Sequence, residues 1–219
     1  MLNRRMLLGS CWVAALLAAG AVSLSLGAEM PSQVELPAPR TDGGLPLMQA
    51  LKERQTTREF KSDPLPTQVL SDLLWAAFGI NRPQAHGRTA PSAMNSQEVE
   101  IYLAQADGLY LYLPGENRLK RIKEEDIRSS TSGSPFATQA PVTLIFVADL
   151  NRMEKAKPED KSFYSAIDTG CISQNVYLFC ASAGLGTVVH DLDRAKLSAA
   201  MGLLPNQRII LAQAVGYKR

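Results

Sequence analysis

The chain has 219 residues, of which 46% are apolar, with 23 Lys and Arg against 21 Asp and Glu. That length buries a substantial core in one domain. Removing residues 1–28, which hold Arg4 and Arg5 and no acid, leaves 21 charges of each sign, a balance that argues against a nucleic-acid or membrane-surface binder, whose affinity needs an excess of cations.

Met1 to Ala28 couples Arg4 and Arg5 to an apolar run from Met6 to Leu26, the pattern of an export signal removed near Ala28. The arginine pair followed by Met6-Leu7-Leu8-Gly9 fits a twin-arginine signal, while Asn3 before it leaves a general secretory signal open. A run of about 20 apolar residues is also long enough to anchor a chain in a membrane. A cleaved signal implies a periplasmic protein.

Residues 29–44 contain Pro31, Pro37, Pro39 and Gly43-Gly44 with no apolar period; they read as a linker, a tether or a loosely packed arm. The folded domain is expected from 45 to 219. Leu47, Met48 and Leu51 give a short amphipathic helix ending near Arg54, and Val69 to Phe78 recurs at helical spacing up to Gly79. Trp75 lies on that helix and is expected in the core. Asn81 to Ala90 is a polar loop holding His86. Strands are expected over Glu98 to Gln105 and Leu109 to Leu113, around an Asp107-Gly108 hairpin, and over Arg118 to Ile122. A short helix is expected near Glu124 to Arg128. Pro141 to Leu150 reads as a central strand buried on both faces. Ser162 to Ala183 is the longest helix, apolar around most of its girth, and should cross the domain or a subunit interface. A short strand at Thr187 to Val189, a helix capped by Asp193 and a last strand from Arg208 to Tyr217 complete an α+β order, with a central, mostly antiparallel sheet flanked by helices.

Between the first two helices lies Arg54-Gln55-Thr56-Thr57-Arg58-Glu59-Phe60. An extended backbone puts Arg54, Thr56 and Arg58 on one face. Two guanidinium forks around a hydroxyl suit a terminal phosphate monoester; a solvated polar run would look similar. A second polar segment is Pro91-Ser92-Ala93-Met94-Asn95-Ser96-Gln97, in which Ser92 can cap a turn. Cys171 and Cys180 fall on opposite sides of the long helix and cannot pair. With His86 and His190 the only histidines, no metal-ligand spacing is present.

These two segments, together with Gly184-Leu185-Gly186-Thr187 and the closing Val215-Gly216-Tyr217, resemble in order the motifs of the FMN-dependent nitroreductase superfamily, over Leu45 to Arg219. Gly108 to Tyr112, Ala140-Pro141-Val142 and Gln174-Asn175 look most like its thiazoline and oxazoline dehydrogenase branch. The resemblance implies a homodimer with FMN at the subunit interface. It assigns Arg54, Thr56 and Arg58 to the FMN phosphate and ribityl chain. Pro91, Ser92, Ala93 and Asn95 fall in the segment a partner lays along the flavin. Gly186, Thr187 and His190 fall in the segment whose backbone amide meets flavin N5, with His190 nearest. Many relatives continue beyond the last strand and supply a further cation; here Lys218 and Arg219 are the candidates for it.

The flavin then carries the chemistry and no catalytic side chain is required. The expected function is an exported FMN-dependent oxidoreductase that alternates flavin reduction and reoxidation on a small-molecule acceptor, its electron donor unspecified. The alternatives are a non-catalytic flavin- or ligand-binding protein on the same fold and a peptide-azoline dehydrogenase.

Overall fold

The computed structural model describes residues 32–219; the expected export signal lies outside the described residues. Seven strands form one sheet: β1 (Gln33–Glu35), β4 (Val99–Gln105), β5 (Gly108–Leu113), β6 (Arg118–Lys123), β7 (Val142–Asp149), β8 (Leu185–His190) and β9 (Gln207–Tyr217). Their spatial order is β1-β6-β5-β4-β7-β9-β8, every neighbour antiparallel. A two-stranded ribbon of β2 (Ile80–Arg82) and β3 (Gly87–Arg88) stands apart. The helices are α1 (Leu47–Glu53), α2 (Thr67–Phe78), α3 (Arg128–Thr131), α4 (Phe136–Gln139), α5 (Lys161–Ser182) and α6 (Arg194–Met201).

The alternation of β7 divides the core into two layers. Leu144 and Phe146 point into a cluster with Leu73, Leu74 and Val176 from α2 and α5, and Ile145 and Val147 point into one with Leu197, Met201 and Ile209. All four β7 side chains are 0% exposed. Each therefore contributes about 1.5–3 kcal/mol of burial, which fixes this strand's register against slippage.

Several boundaries differ from the sequence expectation for identifiable reasons. The β4–β5 loop is Ala106-Asp107, with Gln105 opposite Gly108; Gly108 sits in the strand at φ +149°, where a Cβ would lie 2.4 Å from the Lys123 carbonyl oxygen. The short helix expected near Glu124 starts at Arg128. Trp75 is half-buried rather than in the core, its Nε1 donating to the Ile80 carbonyl at 3.1 Å.

The stretch expected as a linker is tied down over its described part. β1 pairs with β6, Leu36 is buried, and Asn117 Nδ2 and Ser71 Oγ both donate to the Pro37 carbonyl, at 2.8 and 2.5 Å. Arg40 closes on Asp72 with its backbone N–H at 2.8 Å and its guanidinium at 2.9 and 2.7 Å. Proline removes the donors that a regular element would need, so side chains from distant parts of the chain hold this arm instead.

Candidate functional site

The Arg54–Phe60 segment runs across the end of the sheet from the edge strand β8 to its neighbour β9. Thr57 N–H donates to the Thr187 carbonyl at 3.0 Å on the open edge of β8. Three residues on, Phe60 bridges Lys218 past the end of β9, and Lys61 N–H donates to the Tyr217 carbonyl at 2.9 Å. Underneath, Gly186 and Gly216 are directly cross-strand from each other. A Cβ on Gly186 would lie 3.0 Å from Thr57 Cγ2 and 3.2 Å from Lys218 Cγ; one on Gly216 would lie 2.6 Å from the Pro141 ring and 3.3 Å from Phe60. The paired glycines thus leave bare backbone on which the segment lies.

Tyr177 of α5 orders the first half of the segment. Its hydroxyl accepts from Val189 N–H at 3.1 Å and stands 3.3 Å from Thr56 Oγ1, and its ring lies 5.5 Å below the Arg54 guanidinium. A tyrosine hydroxyl that already accepts can donate its one hydrogen to Thr56, which leaves the Thr56 hydrogen free for a ligand. Arg54 and Thr56 therefore share the expected face. Arg58 is exposed, and among the described residues neither arginine is paired with an acid.

Pro91 to Gln97 forms a turn with three non-glycine residues in the left-handed region, Met94 (φ 53°), Asn95 (φ 54°) and Gln97 (φ 48°). Conformations of this kind each cost about 1–3 kcal/mol and persist where surroundings impose them. Ser92 makes no side-chain cap to the short helical turn over 93–95; its Oγ instead accepts from Gln97 N–H at 3.0 Å, and Gln97 Nε2 donates to Asn95 Oδ1 and to the His86 carbonyl. Arg88 Nε donates to Gln97 Oε1, and Ala93 N–H donates to Asp168 Oδ2 of α5 at 2.8 Å. Pro91 and Asn95 face solvent, and Ser92 and Ala93 are half-buried.

At β8 both the Thr187 side chain and the His190 N–H are turned into the fold. The Thr187 side chain is 1% exposed; its Oγ1 donates to the Ala214 carbonyl at 2.8 Å and accepts from Gln213 Nε2 at 3.1 Å, so it has no face for a ligand. The Thr187 carbonyl and the Val189 N–H point out of the sheet edge, and the alternation of an antiparallel ladder therefore turns the His190 N–H inward toward Ala212. The next outward N–H in that alternation belongs to Asp191. The His190 ring packs edge-on against Phe136 with centroids 5.2 Å apart, its Nε2 is buried with no partner, and burial lowers its pKa from the ordinary 6.5, so the imidazole is neutral at pH 7.

Sequence reasoning missed Tyr177 and Asp168, because both were absorbed into a helix read for its apolar content. Lys218 and Arg219, the terminal candidates, are drawn to the segment: Lys218 lies over Gly186, and Arg219 N–H donates to the Glu59 carbonyl at 3.3 Å. A cavity of about 410 Å³ between Arg40, Trp75, Phe179 and Tyr217 contains none of the expected site residues. In one chain those residues line an open surface.

Comparison with known proteins identifies the family of this fold. Residues 51–217 match the model of the Nitroreductase family. A nitroreductase-family protein of Methanocaldococcus jannaschii is 32% identical over 152 residues, covering 65% of this chain and 76% of that one. The FMN reductase [NAD(P)H] of Bacillus subtilis is 26% identical over 73% of this chain and 53% of its own length. The crystal structure of a nitroreductase-family protein from Ralstonia eutropha superposes with a TM-score of 0.83 at 40% identity, covering 94% of this chain and 97% of that one. With a family match that takes in both polar segments, the paired glycines and the whole of α5, the chain belongs to the nitroreductase family.

Proposed function

We propose that this protein is an exported, homodimeric, FMN-dependent oxidoreductase that acts on a small-molecule acceptor. The observation that carries the cofactor reading is the segment laid across Gly186 and Gly216, which presents two guanidinium groups with no acidic partner among the described residues and a threonine hydroxyl able to donate to a ligand. Guanidinium forks match the oxygens of a phosphate monoester, and the threonine can donate to the same group. When bound, FMN supplies the redox chemistry. The protein's share is to bind and orient it: Arg54, Thr56 and Arg58 at the phosphate, with Lys218 beside them, and the Ser92–Asn95 turn with the Asp191 N–H toward the ring. His190, neutral and half-buried, helps to exclude water.

The places where α5 ties each segment support the dimer reading. Tyr177 holds the first and Asp168 the second; nine helical residues separate them by about 13 Å along the axis and on opposite sides. The two segments of one chain therefore do not face each other, whereas those of two chains can. Phe163 and Ile167 on α5 and Leu47, Met48 and Leu51 on α1 are exposed apolar residues that a second copy would cover. Export rests on residues 1–28 alone.

One experiment addresses cofactor and address together. Protein recovered from the periplasmic fraction is expected to be yellow, to release FMN rather than FAD on denaturation and to lack about 28 N-terminal residues. Colourless protein that takes up no FMN on reconstitution contradicts the cofactor reading. Yellow full-length protein confined to the cytoplasm contradicts export alone.

A further inference from the structure

Glu98 follows directly on the Ser92–Gln97 turn. It is 0% exposed, and it is the one carboxyl among the described residues with both oxygens buried and neither in a well-formed hydrogen bond to a donor. An isolated ionised carboxylate in such a place carries a large desolvation cost, which a bound proton removes. Facing it from α5 is Asp168, 4% exposed, whose Oδ2 accepts the Ala93 N–H. The other bonds of the turn run within its own loop, to the neighbouring His86 and Arg88, and to Arg152, whose Nη1 donates to the Gln97 carbonyl at 3.4 Å. The Ala93–Asp168 bond is the one that joins it to the long helix.

We propose that Glu98 is a positioning residue for this turn: held neutral by its burial, it leaves Asp168 as the single charge of the pair and free to hold Ala93, and its ionisation sets two like charges together and releases the turn. The other charged groups on the elements packed here are engaged elsewhere. Arg152 pairs with Glu100 and Asp149, Asp149 accepts from Asn151 and Asn206, and Lys161 Nζ donates to the Leu150 carbonyl. Among the described residues no cation forms an ion pair with Glu98 or Asp168. Burial above all pushes the Glu98 carboxyl up to about 7; its own backbone N–H opposes this, the Asp168 carboxyl beside it adds to it, and the Ser165 hydroxyl draws it slightly down. Burial also raises Asp168, while the Ala93 N–H and the Glu98 carboxyl draw it down, the direction expected if Glu98 is the member that keeps the proton.

That the turn faces a flavin rests on the function proposed above; that Glu98 controls the turn does not, and the test separates the two. Amide exchange of Ala93 is followed in the full chain without flavin at pH 6 and pH 8.5, corrected for intrinsic rates. Native protein should lose about tenfold of its protection across this range, roughly the effect of titrating one group by a unit. Glu98→Gln, which cannot ionise, should keep protection unchanged, and Asp168→Leu, which has no acceptor for the Ala93 N–H, should have lost it at both values. A native profile parallel to that of Glu98→Gln, or full protection in Asp168→Leu, overturns the proposal. In a second arm, FMN affinity should weaken over the same range in the native protein and stay constant in Glu98→Gln. Exchange that responds while FMN affinity does not overturns the positioning role toward the ligand. Absence of FMN uptake at any pH contradicts the flavin reading and leaves the exchange arm to decide the pair.

Discussion

Glu98 gives this protein a stability profile that a solvent-facing carboxyl would not. Its folded-state pKa lies above the ordinary 4.5, so the folded chain holds the proton more tightly than the unfolded one. The resulting stability is fully present below about pH 4.5 and is lost as the pH rises to about 7. At about 1.4 kcal/mol per unit, the loss is of the order of a few kcal/mol. His190, whose pKa burial lowers from 6.5, contributes in the opposite sense below that value. Urea unfolding of native and Glu98→Gln protein isolates the term: the native protein alone should lose this stability between pH 4.5 and 7, and parallel profiles would remove Glu98 as its source. None of this was legible in the sequence, where Glu98 reads as the first residue of a strand. The alternation of Arg54 and Thr56 was legible, because an extended segment has a period of two whatever it touches. What fixes them, the Tyr177 hydroxyl, lies 121 residues from Thr56 and has no local signal.

At the scale of elements, long apolar segments were readable and short paired ones were not. β7 and α5 announce themselves by length and composition, whereas β1, three residues beside a proline-rich stretch, exists because β6 offers it an edge. The long helix was expected to be apolar nearly all round, yet its buried face includes Ser165, Asp168, Thr169 and Ser173. These serve contacts that sequence cannot supply, such as Ser173 Oγ donating to Gln213 Oε1 at 2.9 Å. The glycines of β8 and β9 were read as motif positions; the structure gives them a mechanical reason, since the Arg54–Phe60 segment lies on them. Gly186→Ala should therefore push Thr57 outward, costing about 1–3 kcal/mol of stability, and weaken FMN by about tenfold. Gly216→Ala meets a proline ring at 2.6 Å, which gives way less, and should cost more stability. Denaturant titration with FMN binding on both variants checks this; an unchanged FMN affinity in Gly186→Ala would detach the glycine from the site.

The whole molecule, as one chain, leaves its site open and an apolar stripe uncovered. Phe163 is 64% and Ile167 47% exposed on the same side of α5, and a second copy covering them would bring one chain's turn to the other's arginines. Ile167→Asp places a charge in that stripe and should yield a monomer in sedimentation that folds but binds FMN at least tenfold more weakly, as expected when half of a site is removed. A monomeric variant with native FMN affinity would show that one chain suffices.

The central claim is that Arg54 and Arg58 hold the phosphate of FMN, and titration of FMN and riboflavin against native and Arg58→Ala protein tests it most directly. Losing one charge-assisted contact to a phosphate should cost about 1.5–3 kcal/mol, one to two decades in FMN affinity. Riboflavin, which lacks the phosphate, should bind both proteins almost equally. Equal FMN affinity in native and Arg58→Ala protein would contradict the account.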